Sequence, residues 1–310
     1  MSKKLIAVTG ATGAQGGGLV RAILADPSGE FSVRALTRNP SGEKAAELAA
    51  LGAEVVSANL DDEGSVRAGF RGAHGAFCLT NFWEHFSVEK ELEQAGNMAR
   101  AVAAEGVAHA IWSTLEDTRL RVPLTDDRMP TLHGKYKVPH FDGKGEANAY
   151  FEASGVPTTL LHTSFYWDNL IHFGMGPKRG EDGKLSFVLP MADAKLPGIA
   201  AADIGGCAYG VFKGGTKYAC TVGVAGEHLT GTEMAAELSK ALGEEVVYTY
   251  VPPEVYRTFG FPGADDLANM FQYKRDFEKE FCEMRNVEIS RQLNPALQSF
   301  GEWCQANKSR

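Results

Sequence analysis

The chain has 310 residues, 44% of them apolar, with 31 Lys and Arg against 39 Asp and Glu and a formal net charge of −8. A chain of this length buries about 75% of its unfolded surface without disulfide or metal staples, as one large α/β domain or as a domain with a smaller lobe. The acidic balance without a basic stripe argues against direct nucleic-acid contact; the five cysteines are scattered, odd in number and unpaired in spacing, which points to a reducing compartment and no metal site.

The LIAV run after Lys3 and Lys4 is too short for a signal peptide, and no run of 18 apolar residues follows anywhere. The expectation is a chain that avoids membranes and resides in the cytoplasm, the nucleus remaining open.

The stretch from Lys3 to Gly18 reads KKLIAVTGATGAQGGG, an apolar run, Leu5 to Val8, that empties into Gly10, Gly13 and Gly16 and then into an amphipathic segment from Leu19 to Leu24. Strand, glycine turn and helix in that order form the dinucleotide-binding unit, in which backbone lies against a pyrophosphate and the helix N-terminus faces it. The second strand, Phe31 to Leu36, ends in Thr37, Arg38, Asn39 and Pro40. A carboxylate there would accept the ribose hydroxyl of NAD; a guanidinium instead suits a 2′-phosphate. The reading is therefore NADP(H), with Arg38 as discriminator, against the alternative of a solvated loop arginine.

Downstream, a helix is expected over Gly42 to Leu51 and a third strand over Ala53 to Ala58. That strand delivers Asn59, Leu60 and Asp61 towards an adenine, although Asp61 and Asp62 could equally cap the next helix, Ser65 to Phe70. The fourth strand, Gly75 to Leu79, brings Thr80, Asn81, Phe82 and Trp83 to the carboxyl edge, where ligands bind in such sheets. Cys78 reads as a buried strand residue.

A long helix, Val88 to Glu105, precedes a fifth strand, Ala108 to Trp112, that ends at Ser113 and Thr114; Ser113 could orient a carbonyl or serve as a cap. The polar segment from Leu115 to Pro139 has the length of a lid. A helix follows through Phe151, then a sixth strand, Pro157 to His162, and the aromatic run Phe165, Tyr166, Trp167 before Asp168 and Asn169. Further on, Lys184 to Pro190 reads as a strand and Ala201 to Phe212 as a helix. Tyr218 to Val224, Thr230 to Leu242 and Glu245 to Val251 read strand, helix, strand, with a capping box at Thr230 and Glu233. The fold class is α/β, a Rossmann doubly wound parallel sheet over residues 1–162 with a smaller α/β lobe over 163–310, some segments of which return to the sheet.

Short-chain reductases set a tyrosine four residues before a lysine, so that the ammonium lowers the phenol pKa for proton transfer. Here Lys144 has the setting, but His140 stands in the tyrosine position, and Tyr136 lies roughly 12 Å away along a helix. Lys144 is then a ligand of the nicotinamide ribose, a catalytic lysine working with His140 or water, or an exposed helix residue. Whether the chain is an enzyme stays open.

The segments GATGAQGG, TRNP, TNFWE, HFDGKGE and FPGADDLANMF together, in order and over nearly the whole chain, resemble the NmrA-like family of atypical short-chain dehydrogenase/reductase relatives. The resemblance implies NADP(H) binding, redox sensing and transcriptional control through regulatory protein partners, and allows a homodimer. It carries cofactor contacts onto Gly10, Thr12, Gly13, Ala14 and Gln15, onto Arg38 and Asn39, onto Thr80, Asn81 and Phe82, onto Lys144, and onto Tyr166 to Asn169. The family commonly lacks the catalytic tyrosine, as this chain does. Only Lys44 follows Arg38 as a nearby cation, and the Arg119 to Gly134 loop is enlarged. The alternative is an NADPH-dependent oxidoreductase of quinones or imines, with Phe82, Trp83, Phe165 and Trp167 lining a pocket for a small planar substrate.

Overall fold

The computed structural model describes residues 3–26 and 28–309. In chain order the strands are β1 (Lys4–Val8), β2 (Phe31–Thr37), β3 (Glu54–Ser57), β4 (Gly75–Cys78), β5 (His109–Thr114), β6 (Thr158–His162), β7 (Phe165–Tyr166), β8 (Lys178–Arg179), β9 (Leu185–Leu189), β10 (Leu196–Ile199), β11 (Thr221–Gly223), β12 (Glu227–Leu229) and β13 (Val246–Tyr250). Seven of them make one parallel sheet in the order β11-β6-β5-β4-β1-β2-β3. This is the doubly wound order, and the direction of winding reverses between β1 and β4, which opens the crevice where such sheets bind ligands.

The period-two alternation of each central strand sorts the two cores. Ile6, Val8, Phe77 and Ile111 face the helices Ala14–Ala25 and Ala201–Gly214. Ala7, Ala76, Cys78 and Trp112 face the opposite layer, from helices Val88–Ala104 and Pro139–Ala153. Burial pushes the Cys78 thiol well above its ordinary range, in keeping with a packing role.

The chain beyond β6 does not form a separate block. β11 adds the outer strand beside β6, and helix Ala201–Gly214 packs on the first helix. The remaining strands make two small sheets, β12-β10-β7 and β13-β9-β8, around a third core with Trp167, Phe187, Phe271, Phe300 and Trp303. The Thr230–Glu233 capping box is present at the start of helix Gly231–Leu242. Among the described residues no helix is long and apolar enough to cross a membrane.

The crossing of the first helix with helix Ala201–Gly214 leaves no room for side chains. A Cβ on Gly18 would lie 2.4 Å from the Ala202 carbonyl oxygen, and one on Gly205 would lie 2.1 Å from the Leu19 nitrogen. Gly205→Ala is expected to push the helices apart and to cost about 1–3 kcal/mol. A urea titration should show a lower midpoint; an unchanged midpoint would mean that the crossing yields without strain.

Candidate functional site

The turn after β1 is built by two glycines with different tasks. Gly10 has φ of 60°, a left-handed backbone that a side chain disfavours. Gly16 lies so close beneath the turn that a Cβ would sit 2.4 Å from the Gly10 oxygen. The helix Ala14–Ala25 starts at Gly13 with no side-chain cap and no acid in its first turn. Its leading N–H groups therefore point into the crevice, the arrangement that suits a phosphate. Thr12 is half-buried, while Gly10, Gly13 and Ala14 are exposed along the same rim. Thr9 braces the crevice, since its hydroxyl donates to the Phe77 carbonyl at 3.1 Å and accepts from the Leu79 amide at 2.8 Å.

Gln15 is buried and turned along the carboxyl edge of the sheet. Its Oε1 accepts from Ser113 Oγ at 2.9 Å, and its amide donates to the Tyr166 hydroxyl, which also meets Thr163 Oγ1 at 3.3 Å. Ser113 is thus tied to Gln15. Burial pushes Tyr166 up to about 12, so it remains a neutral phenol. Asn169 opens the short helix Asn169–His172, half-buried one turn further on.

Arg38 leaves the end of β2 exposed, as expected, but not unpartnered. Its guanidinium holds Glu84 through two donors, one at 3.0 Å to Oε2. The Glu84 hydrogen bond raises the Arg38 pKa further. Asn39 is exposed beside it, its side-chain oxygen accepting from Ser41 at 3.0 Å. After β3 the two aspartates divide their tasks: Asp62 caps helix Glu63–Phe70 by accepting from the Gly64 amide at 2.9 Å, whereas Asp61 accepts from Gln94 at 2.8 Å and pairs with Lys90 at 3.0 Å. Asn59 folds back to accept from the Asp61 amide, and the Leu60 carbonyl accepts from Asn97, so Asn59, Leu60 and Asp61 form a braced corner.

At the end of β4, Asn81 is exposed and Phe82 opens the helical turn Phe82–His85. Thr80 is buried and meets Lys144, whose ammonium donates to Thr80 Oγ1 at 2.7 Å and pairs with Glu91 at 2.6 Å. The Thr80 hydroxyl in turn donates to Glu91, and the ammonium lies 4.9 Å from the Trp112 ring. Only 11% of the Lys144 side chain is exposed, which removes the reading of a solvated helix residue. His140 is not joined to Lys144 but to Asp266, with Nδ1 2.6 Å from Oδ1, and its ring packs 4.7 Å from Trp83.

Two expectations need correction. Phe82, Trp83, Phe165 and Trp167 do not line one pocket: Phe82 and Trp83 gather around His140, whereas Trp167, 1% exposed, turns into the lobe against Phe300 and Trp303, and Phe165 tilts on Phe271. The apolar lobe core outcompetes the sheet edge for these rings. The Leu115 to Pro139 segment is pinned down and is no open flap. Asp142 accepts from the amides of Thr118, Lys137 and Val138, the buried Lys137 ammonium donates to the Asp126 and Met129 carbonyls, and Asn269 and Gln272 bind the Pro130, Lys137 and Arg128 carbonyls.

The partners Glu84, Glu91 and Asp266 escaped the sequence reading. For Glu91 and Asp266 a signal was present: helical spacing sets Glu91 with Ala95, Met98 and Val102, and Asp266 with Asn269, Met270 and Tyr273, so both acids lie on buried stripes. Also missed was Arg285, fully buried, which donates to the Thr163 carbonyl at 2.7 Å and to Glu116 at 2.7 and 3.2 Å. Burial opposes the Glu116 charge, but Arg285 outweighs it and keeps the carboxylate ionised.

The parallel sheet and the glycine turn define a fold of Rossmann type. The family model described as NmrA-like family matches residues 2–304, and the chain belongs to that family. The NmrA-like family domain-containing oxidoreductase FrzB of Cladobotryum sp. is 29% identical over 87% of this chain and 83% of its own length. Two structures of NmrA, a negative transcriptional regulator, one in complex with NADP and one with NAD, each align with a TM-score of 0.79 and 23% identity over 98% of this chain and 95% of theirs. An NADPH-dependent quinone oxidoreductase from Escherichia coli aligns with a TM-score of 0.71 and 23% identity over 97% of this chain and 99% of that one.

Proposed function

We infer that the chain binds NADP(H) and acts as a redox sensor, its coenzyme occupancy deciding which surface it offers to a regulatory protein partner. The observation that carries the reading is a complete phosphate cradle beside acid–base groups already committed elsewhere: Lys144 to Glu91 and Thr80, His140 to Asp266. Arg38 supports the phosphorylated coenzyme, because a guanidinium binds a 2′-phosphate through parallel donors. Nothing in the reading requires direct contact with nucleic acid, and a homodimer is compatible with it.

Arg38→Ala is expected to weaken NADPH binding by about tenfold to a hundredfold, the worth of one or two charged hydrogen bonds, with NADH little affected. Fluorescence titration of NADPH, NADP⁺ and NADH reads this directly. Equal loss for both coenzymes would remove Arg38 from phosphate recognition.

A second reading rests on FrzB, whose name marks it as an oxidoreductase. Hydride transfer to a quinone or cyclic imine asks little of a side-chain acid. Oxidation of NADPH with a panel of such acceptors separates the two: turnover that falls in Lys144→Ala at equal folded fraction favours the reductase, and coenzyme binding without turnover favours the sensor.

A further inference from the structure

An acid at the end of β2 is missing from the sequence, yet the fold supplies one from a different strand. Glu84 sits in the helical turn after β4, 46 residues from Arg38, and its carboxylate meets the guanidinium. In the sheet order β2-β1-β4 the two side chains come from strands on either side of β1. Neighbouring strands lie about 4.8 Å apart, so the pair has to span the carboxyl end of β1, above the glycine turn. A dinucleotide lying on that turn, with its adenosine ribose at the end of β2, meets both charges at once.

We propose that Glu84 is a coenzyme-discriminating residue: it competes with the 2′-phosphate for Arg38 and offers its carboxylate to the 2′-hydroxyl of the unphosphorylated coenzyme. The inference rests on the reading of Arg38 as the phosphate ligand. A 2′-phosphate carries up to two negative charges, so it must displace Glu84 from the guanidinium and leave a carboxylate nearby, where like charges repel. With NAD(H) the ion pair stays closed, and although both Glu84 oxygens accept from Arg38, the carboxylate keeps lone pairs for the ribose hydroxyl, the task that an acid on β2 performs in NAD-preferring sites. Asp61 cannot take over this part, because Lys90 and Gln94 already hold it.

The pair is exposed, 66% for the Arg38 side chain and 46% for Glu84, so neutral replacements are tolerated by the fold. The test measures dissociation constants of NADPH and NADH at one fixed ionic strength for the unaltered chain, Glu84→Gln, Arg38→Ala and the double variant. Glu84→Gln is expected to raise the preference for NADPH over NADH by about three- to tenfold. In the Arg38→Ala background only the like-charge repulsion is left to relieve, so the same change should improve NADPH binding by less than it does beside Arg38. If Arg38→Ala abolishes the preference while Glu84→Gln leaves it within about twofold, the role of Glu84 is overturned and the coenzyme reading stands. If Arg38→Ala leaves the preference intact, both fall together.

Discussion

Lys144→Met is expected to cost about 3–5 kcal/mol of folding stability, whatever Lys144 does for a ligand. The substitution preserves most of the side-chain volume but removes the charge that faces Glu91, a carboxylate with 0% exposure. One Glu91 oxygen accepts from Thr80, and the other has no hydrogen-bond partner among the described residues. The other basic group paired with Glu91 is His85, whose Nε2 lies 3.8 Å from that second oxygen, too long for a hydrogen bond to replace the ammonium. Chemical denaturation should show the loss as a lower midpoint. The double change Lys144→Met with Glu91→Leu should restore most of it, since an apolar pair leaves no orphaned charge. A double variant as unstable as the single one would mean that the ion pair is not the source of the cost. The double variant is also the fair background for coenzyme titration, because there any remaining loss of affinity is not a loss of fold.

Lys274 gives the second large effect, and its sign runs against intuition for an ammonium. Its side chain is buried in a box of four rings, with Nζ 5.5 Å from the Phe141 centroid, 5.7 Å from Phe165, 5.8 Å from Phe271 and 5.4 Å from Phe281. Burial, reinforced by the Arg285 charge and partly offset by Glu116, brings its pKa down to about 7. The unfolded chain holds that proton to about pH 10.4. Between these values unfolding takes up a proton, so stability rises with pH above 7, by up to about 1.4 kcal/mol per unit. Below pH 7 the full cost of a buried charge is present. Lys274→Met removes the titration and fills the box with a thioether that packs well against rings. Thermal melts at pH 6.5, 7.5 and 8.5 should therefore show a stabilised variant at the lowest pH and a flatter profile throughout. Parallel profiles for the two proteins would place the pH dependence elsewhere.

Much of the main sheet was legible because its strands are short apolar runs closed by turn residues, from Leu5–Val8 through Pro157–His162, and each has the length and pattern of a buried parallel strand. The small sheets were legible only in part: β9 and β13 fall within the expected strands Lys184 to Pro190 and Glu245 to Val251, whereas β7, β8, β10 and β12 were not foreseen. β7 and β8 have two residues each, and β10 reads LPGI, where proline and glycine argue against a strand until pairing with β12 and β7 supplies the hydrogen bonds. The site divides in the same way. Gly10, Gly16 and Arg38 were visible because a turn and a strand end are local features. What holds Arg38, Lys144 and His140 in place comes from distant segments, as with the 126 residues between His140 and Asp266; helical spacing marks Glu91 and Asp266 as buried acids, but no local pattern says which residue each will meet. The misplaced Trp167 has the same origin, since its rings of contact at Phe300 and Trp303 lie at the far end of the chain.

The backbone-to-backbone seam between Gly18 and Gly205 has a mechanical consequence. With no flexible atoms in the joint to absorb displacement, the two helices shift as one plate. A tug at the amino end of the first helix, where a pyrophosphate would sit, is handed to residues 201–214 without slack, and through them to Leu293 and Asn294, which abut Gly210 and Gly206.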